Sequence, residues 1–480
     1  MSKKNQNYTN RKQNRFQPER MRGNIFVNNS GKQWLPGKNG RAAKVERLLR
    51  GLEKKEIAGN MAGYKDSGIE YIGQVPKDWE VLRLKNISNI YAAKEYLFGE
   101  WPVEKNGKPY SPFGEWSSGN EVIITGRVGT IGQYEMLEKN PKKKILINDN
   151  RLLIRPFTED YRKKALSHFL FWAMAIVNLN DIITGSAVPL ITATSLLKKR
   201  IVVPPLSEQQ RIADFLDTKC GILDRTIDAV SQQIEDLEKY KKALITKTVT
   251  KGIYKKGEPE RAMKDSGVEW IGEVPEGWKI CKVKQISNKI TDGAHISPDT
   301  TNGEFKFLSV TNMNDTGALD FVNCLKINSV QYAYLVKTGC QPKKDDVLIS
   351  KDGTIGKTTV VSDNNFVVAS SLVIIRPNQL KIRPKYLKYC LMSNIVQEQL
   401  LSVLAGSALK RVSIEKNANL KFVYTYDMTT QQQIIDYLDS KCSEIDTLLQ
   451  NYEDQIATLE EYKKSLIYEY VTGKKEVPEA

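Results

Sequence analysis

The residues of this chain that most resemble chemical machinery are Gly353-Thr354-Ile355-Gly356-Lys357-Thr358. Glycines followed by lysine and threonine are what a nucleotide loop uses to cradle phosphates with backbone N–H groups. Such a loop needs a further glycine five residues before the second one, and that position holds Lys351. An earlier copy of the motif, Gly129-Thr130-Ile131-Gly132, has Gln133 where the lysine should be. The pattern therefore argues against ATP. What stays is a pair of glycine turns whose main chain can approach an anion, with Arg127 beside one copy and Lys351 and Lys357 beside the other. A turn of that kind suits a DNA phosphate, and it equally suits a plain connection between two strands. Lys410-Arg411 follows a second repeated motif, Gly406-Ser407-Ala408, and arginine is the usual reader of guanine. The candidate DNA-contacting residues are thus Arg127, Gly129, Thr130, Gly132, Lys351, Gly353, Thr354, Gly356, Lys357, Lys410 and Arg411.

Other chemistry is poorly supplied. Two histidines, His168 and His295, argue against a His-based metal site or a Ser/His/Asp triad. Six cysteines (Cys220, Cys281, Cys324, Cys340, Cys390, Cys442) form no Cys-x-x-Cys pair and read as reduced thiols of a cytoplasmic protein. Val203-Pro204-Pro205-Leu206 lacks both the leading Asn/Asp and the aromatic of an amino-methyltransferase motif. There is no glycine-rich cofactor fingerprint, no apolar run of membrane-spanning length and no secretion signal. The expectation is a binding protein, not an enzyme, with no cofactor of its own. The net charge of +16 is unevenly placed: residues 1–62 hold 15 Lys/Arg and 4 Asp/Glu, the remaining 418 hold 57 against 52. The basicity mostly describes the first 62 residues, whose Asn, Gln, Lys and Arg content reads as disordered. They are either a nucleic-acid-binding arm or an extension ahead of a second start at Met61.

The elements that must position the turns occur twice. A helical pattern over 209–251 returns over 431–473, with 20 of 43 positions identical. Leu223, Ile227, Val230, Ile234, Leu237 and Leu244 form a seam of period near 3.5, repeated at Ile445, Leu449, Tyr452, Ile456, Leu459 and Leu466. Each helix would span about 65 Å and needs a partner for its stripe; its own duplicate, packed antiparallel, is the economical one. A loop, Lys65-Asp66-Ser67-Gly68-Ile69-Glu70-Tyr71-Ile72-Gly73 with Val75-Pro76 and Trp79, returns as Lys264 to Gly272 with Val274-Pro275 and Trp278. Its aromatics Tyr71/Trp270 and Trp79/Trp278 are expected to anchor it. Between loop and helix lie divergent regions, 90–205 and 289–427, in which β-type runs (Glu121 to Thr125, Asp346 to Ser350) alternate with helical segments (Tyr161 to Leu179, Pro384 to Leu404). The fold class is mixed α/β (α+β) with two long helices and an internal pseudo-two-fold duplication. The expected segments are an extension over 1–62, a loop and α/β domain over 63–205, a helix over 206–254, a second loop and domain over 255–427, and a second helix over 428–480.

The Lys-Asp-Ser-Gly-Ile-Glu opening with its Val-Pro and Trp, and the Pro-Pro-Leu-Ser-Glu-Gln-Gln-Arg-Ile-Ala run at Pro204 to Ala213, resemble the specificity subunits of type I restriction-modification systems. The resemblance covers nearly everything from Tyr64 onward. The second copy departs from it at Tyr426-Asp427-Met428-Thr429, a difference expected to loosen one of two equivalent surfaces, and residues 1–60 have no counterpart. It implies that each variable region is a target recognition domain for one half of a bipartite, asymmetric double-stranded DNA site, with the paired helices as spacer. It also implies two DNA methyltransferase subunits docked on the repeated regions and motor-nuclease subunits for restriction, with S-adenosylmethionine and ATP held by those partners. A coiled-coil protein scaffold that binds no DNA is the alternative from the residues alone, and a methyltransferase in its own right is disfavoured by the missing motifs.

Overall fold

The computed structural model describes residues 22–23, 63–92, 96–98, 122–126, 131–136, 145–147, 151–157, 165–185, 189–254, 257, 261–314, 316–405 and 411–478. The expected disorder of the first 62 residues lies outside these, apart from Arg22–Gly23. The chain forms two compact units, Met1–Ile227 with Ala457–Ala480, and Asp228–Ile456, so each long helix contributes one part to each unit.

In the first unit the strands are β1 (Arg22–Gly23), β2 (Tyr64–Asp66), β3 (Gln74–Pro76), β4 (Glu80–Arg83), β5 (Ser88–Ala92), β6 (Tyr96–Phe98), β7 (Val122–Thr125), β8 (Tyr134–Met136), β9 (Ile145–Ile147) and β10 (Arg151–Pro156). Helices α1 (Ser167–Met174) and α2 (Ala193–Leu197), strand β11 (Arg200–Val203) and the long helix α3 (Leu206–Lys251) follow. A five-stranded sheet runs β1-β8-β7-β10-β5, every pairing antiparallel. Leu152, Leu153 and Ile154 of its inner strand β10 are buried, as expected of a consecutive apolar run covered on both faces. The variable domain is closed at its base by a two-stranded stem in which Leu82 of β4 faces Ile201 of β11.

The second unit repeats this plan. It holds β12 (Met263–Asp265), β13 (Glu273–Pro275), β14 (Lys279–Lys282), β15 (Ser287–Asp292), β16 (Phe305–Leu308), β17 (Leu325–Ile327), α4 (Ser329–Lys337), β18 (Val347–Ser350), β19 (Thr358–Val360), β20 (Phe366–Val368) and β21 (Leu372–Pro377). Then come α5 (Pro384–Met392), α6 (Asn394–Ala405), α7 (Ile414–Ala418), β22 (Lys421–Tyr424) and the second long helix α8 (Met428–Val471). The sheet β15-β21-β18-β19 has the order of β5-β10-β7-β8, and the stem recurs with Ile280 of β14 facing Val423 of β22. A second sheet, β17-β16-β20, adds a parallel pair, β16 with β20.

The two long helices pack antiparallel in both units, as the duplicated seam predicts. In the first, Phe215 and Tyr470 rings lie 4.5 Å apart and Lys463 pairs with Asp224. In the second, Lys241 pairs with Asp446, the same two positions with the helices exchanged. All twelve seam residues are buried or half-buried, while Asp228, Ala229, Glu235 and Asp236 between them are exposed. Most of the seam is only half-buried because two helices alone cover one stripe each; next to it, Ile245, Val249, Ile434 and Leu438 are fully buried in the core of the second unit.

Two local expectations are corrected, the helix over Pro384 to Leu404 and the anchoring of all four loop aromatics. The helix read over Pro384 to Leu404 is two helices, because Ser393 adopts extended backbone (ψ 148°) and its hydroxyl donates to Cys390 O at 2.6 Å. At the Tyr426-Asp427 junction, where the second copy departs from the first, Asp427 caps α8, accepting N–H bonds from Thr429 (3.0 Å) and Thr430 (3.1 Å). Of the four loop aromatics, Trp79 and Trp278 are buried, but Trp270 is 48% exposed. Its counterpart Tyr71 is held by α8: Tyr468 donates its hydroxyl to Tyr71 O at 3.0 Å. The residue of α3 equivalent to Tyr468 is Thr246, too short to reach, whose hydroxyl instead accepts Asn394 N–H at 2.8 Å.

Candidate functional site

Each glycine turn joins two adjacent antiparallel strands of its sheet, β7 to β8 and β18 to β19. The hydrogen bonds are the same in both. Thr125 N donates to Gln133 O at 2.7 Å and Gly132 N to Thr125 O at 2.8 Å; Ser350 N donates to Lys357 O at 2.9 Å and Gly356 N to Ser350 O at 3.0 Å. Gly132 and Gly356 have φ of +85° and +90°, a conformation that costs a residue with a Cβ and explains the repeated glycine. Arg127, Gly129 and Thr130 of the first turn, and Lys410, lie outside the described residues.

The second turn is held from several sides. Ser350 Oγ donates to Thr354 O at 2.6 Å and accepts Lys357 N–H at 2.9 Å, and Gln397 Nε2 donates to Gly356 O at 3.1 Å. Lys351 is corrected as a surface cation: it is 4% exposed, and its ammonium is paired with Asp292 at the end of β15. An ammonium buried against a carboxylate has its charge already compensated, so it does not offer that charge to a phosphate. Lys357 Nζ donates to Met313 O at 2.9 Å. What the turn does expose is Gly353 and Thr354 at its tip. Arg411 is exposed beside it, its Nε donating to Asp352 Oδ1 at 2.7 Å; that carboxylate raises the guanidinium pKa still further, so the side chain is a fixed cation.

A second arrangement, not anticipated from the sequence, fixes each variable domain to its long helix. Gln209 of α3 accepts the N–H of Leu166, at the start of α1, at 2.8 Å, and donates to Pro204 O at 2.8 Å. Gln431 of α8 accepts the N–H of Arg383, at the start of α5, at 2.8 Å, and donates to Thr425 O at 2.8 Å. Both amides are buried. Two turns on, Asp217 accepts from Trp172 Nε1 (2.7 Å) and meets His168 Nδ1 (2.9 Å). Its equivalent Asp439 accepts from Tyr389 OH (2.6 Å) and Lys385 Nζ (2.6 Å). The hydrogen bond to Asp217 raises the His168 pKa against the opposing effect of burial. The signal was present in the repeated helix, where Gln209/Gln431 and Asp217/Asp439 are identical, but the residues they hold differ between copies.

The cysteines carry no visible chemistry. Burial pushes the Cys220 thiol up to about 12, and no group of His, Cys, Asp or Glu among the described residues is arranged to hold a metal ion. No helix among them is long and apolar enough to cross a membrane.

Known proteins agree with this architecture. The type I restriction modification DNA specificity domain matches twice, over residues 76–239 and 275–457. The chain is 23% identical over 437 residues to the type I restriction enzyme MjaVIII specificity subunit of Methanocaldococcus jannaschii, covering 84% of this chain and 94% of that one. It is 23% identical over 433 residues to the EcoBI specificity subunit of Escherichia coli, covering 85% and 88%. A solved structure described as the structural basis underlying complex assembly and conformational transition of the type I R-M system shares the fold, with a TM-score of 0.55 and 16% identity over 84% of this chain and 99% of that one. Two matches of the domain, one to each half of a duplicated fold and together spanning most of the sequence, show that the chain belongs to the family of type I restriction-modification DNA specificity subunits.

Proposed function

We propose that this specificity subunit reads an asymmetric, bipartite double-stranded DNA target, one half with each variable domain, and docks two methyltransferase subunits that methylate adenine N6 within it. Motor-nuclease subunits join the same complex for restriction. S-adenosylmethionine and ATP belong to those partners; this chain supplies the address. The observation that carries the reading is the duplication of a stem-closed α/β domain clamped to paired helices, with the clamps repeated and the domains divergent. Equivalent helices and loops favour equivalent docking of two identical partners, and unlike domains favour unlike half-sites. The DNA contacts of this reading centre on the turn tip Gly353-Thr354, the sequence-equivalent Gly129-Thr130, the glycines Gly132 and Gly356, and Arg127, Lys357, Lys410 and Arg411, without Lys351.

The test is to sequence N6-methyladenine at single-base resolution in cells producing this chain with a methyltransferase partner. A split, asymmetric methylated motif that disappears when the chain is deleted is expected. If methylation is the same with and without the chain, the reading fails. Binding of the assembled complex to a duplex carrying that motif should weaken steeply with salt, since phosphate contacts release counterions; a flat salt response would favour a protein scaffold.

A further inference from the structure

In the second unit, three segments converge on the β20–β21 turn. Ala294 N donates to Val368 O at 2.8 Å, Lys351 N to Ser371 O at 2.9 Å, and Val310 N to Ser371 Oγ at 3.1 Å. The first approach is close enough that a Cβ on Gly293 would stand 2.1 Å from Val368 O, so only glycine fits in the backbone leading to His295. Arg411 is fixed in the same way, its backbone bridged to Asp352 and Val412 N donating to Lys351 O at 3.0 Å.

From this rigid base two side chains stand out. His295 is 61% exposed and its Nε2 meets Asp292 Oδ2 at 2.8 Å; Asp292 is 10% exposed and takes the buried Lys351 ammonium on the same oxygen. Arg411 is 54% exposed and is tethered through Nε alone to Asp352, itself 19% exposed. Among the described residues, His295 Nδ1 and both terminal nitrogens of Arg411 meet no partner. A carboxylate that holds one end of an exposed side chain removes rotamer freedom that binding would otherwise have to remove. What it leaves outward is a forked pair of donors and a ring nitrogen, the equipment that reads base edges in a major groove. A phosphate grip would not need such tethering, because a phosphate accepts a flexible cation from many directions.

We propose that His295 and Arg411 are the specificity-determining side chains of the second unit, contacting base edges of its half-site, and that Asp292 and Asp352 are the positioning residues that aim them. The proposal rests on the DNA-reading function above and adds His295 and the two carboxylates to it.

The experiment is the methylated-motif measurement on the full chain with its methyltransferase partner, repeated for R411A, R411K, H295A, D352A and D352E. R411A and H295A should each relax discrimination at a base of one half of the motif, on the order of 10- to 100-fold, with the other half unchanged. R411K, which keeps charge but loses the fork, should relax the same base as R411A. D352A should relax that base too, and D352E should restore it. Melting of purified R411A, R411K and H295A should match the parent, since both reading residues are exposed. If R411A and H295A leave every position of the parental motif as specific as before, the proposal is overturned. A parental chain that directs no methylated motif at all would sink the function it rests on instead.

Discussion

Asp217 and Asp439 show how much one repeated residue can organise. Asp217 takes two hydrogen bonds from α1 and Asp439 two from α5, and Trp172 and Tyr389, two of the four donors, are buried. Removing the carboxylate leaves the indole N–H or phenol O–H without a partner, a cost of about 1–3 kcal/mol. D217A and D439A should each lower the melting temperature, and calorimetry would show whether they do; unchanged melting would mean the clamps are incidental. The copies differ in one titratable partner. His168 has its pKa raised by the hydrogen bond to Asp217, so the stabilisation it brings is fully present below its ordinary value of about 6.5 and is lost as pH rises through the raised value. At the equivalent position Asp439 meets Lys385, which carries no imidazole. Between pH 6 and pH 8 the first unit should therefore lose a small amount of stability that H168K abolishes, readable as a pH-dependent melting difference between the parent and that variant. These roles were illegible in the sequence for a physical reason: the repeated glutamine and aspartate were visible, but their partners lie in divergent regions with no spacing rule linking them. The glycine turns were legible as turns, yet nothing in Lys351 announced that Asp292, 59 residues away in the chain, would bury its charge.

At the scale of the elements, periodicity was a reliable guide because a single helical stripe has one solution in water, which is another stripe. The seam residues fall on the observed interface, and the helices begin at Leu206 and Met428. What the pattern did not reveal was how unevenly the seam is buried. Leu466 is 6% exposed because it joins the core of the first unit, whereas Leu459 lies outside that core and is half-buried. L466A should cost about 2–4 kcal/mol and L459A distinctly less, checked by denaturant melts of both variants. The exchanged ion pairs, Lys241–Asp446 and Lys463–Asp224, should couple weakly, at roughly 0.5–1 kcal/mol in a double-mutant cycle, since Asp446 and Asp224 remain partly exposed. The break at Ser393 is local, a hydroxyl turned back on Cys390 O within an otherwise helical pattern, whereas the exposure of Trp270 depends on a distant position, where α3 has the short Thr246.

For the whole molecule, the stems define what can be exchanged. Each variable domain enters and leaves through adjacent antiparallel strands, β4 with β11 and β14 with β22, so its two ends already lie side by side. A segment whose ends meet can be replaced without altering the path of the chain around it. The clamps add a second requirement. A foreign domain must present a backbone N–H to Gln431 and donors to Asp439, and must cover Ile434, Leu438 and Ile245, which would otherwise meet water. Replacing residues 283–420 with the corresponding domain of a relative should therefore succeed only when the donor supplies counterparts of Lys385 and Tyr389. A matched chimera should melt close to the parent and direct methylation to a motif changed in one half alone. A mismatched one should melt lower by the clamp's worth, about 1–3 kcal/mol, before any question of DNA arises. If a matched chimera changed both halves of the motif, the two domains would not be reading separately, and the division of labour inferred from the duplicated fold would be wrong.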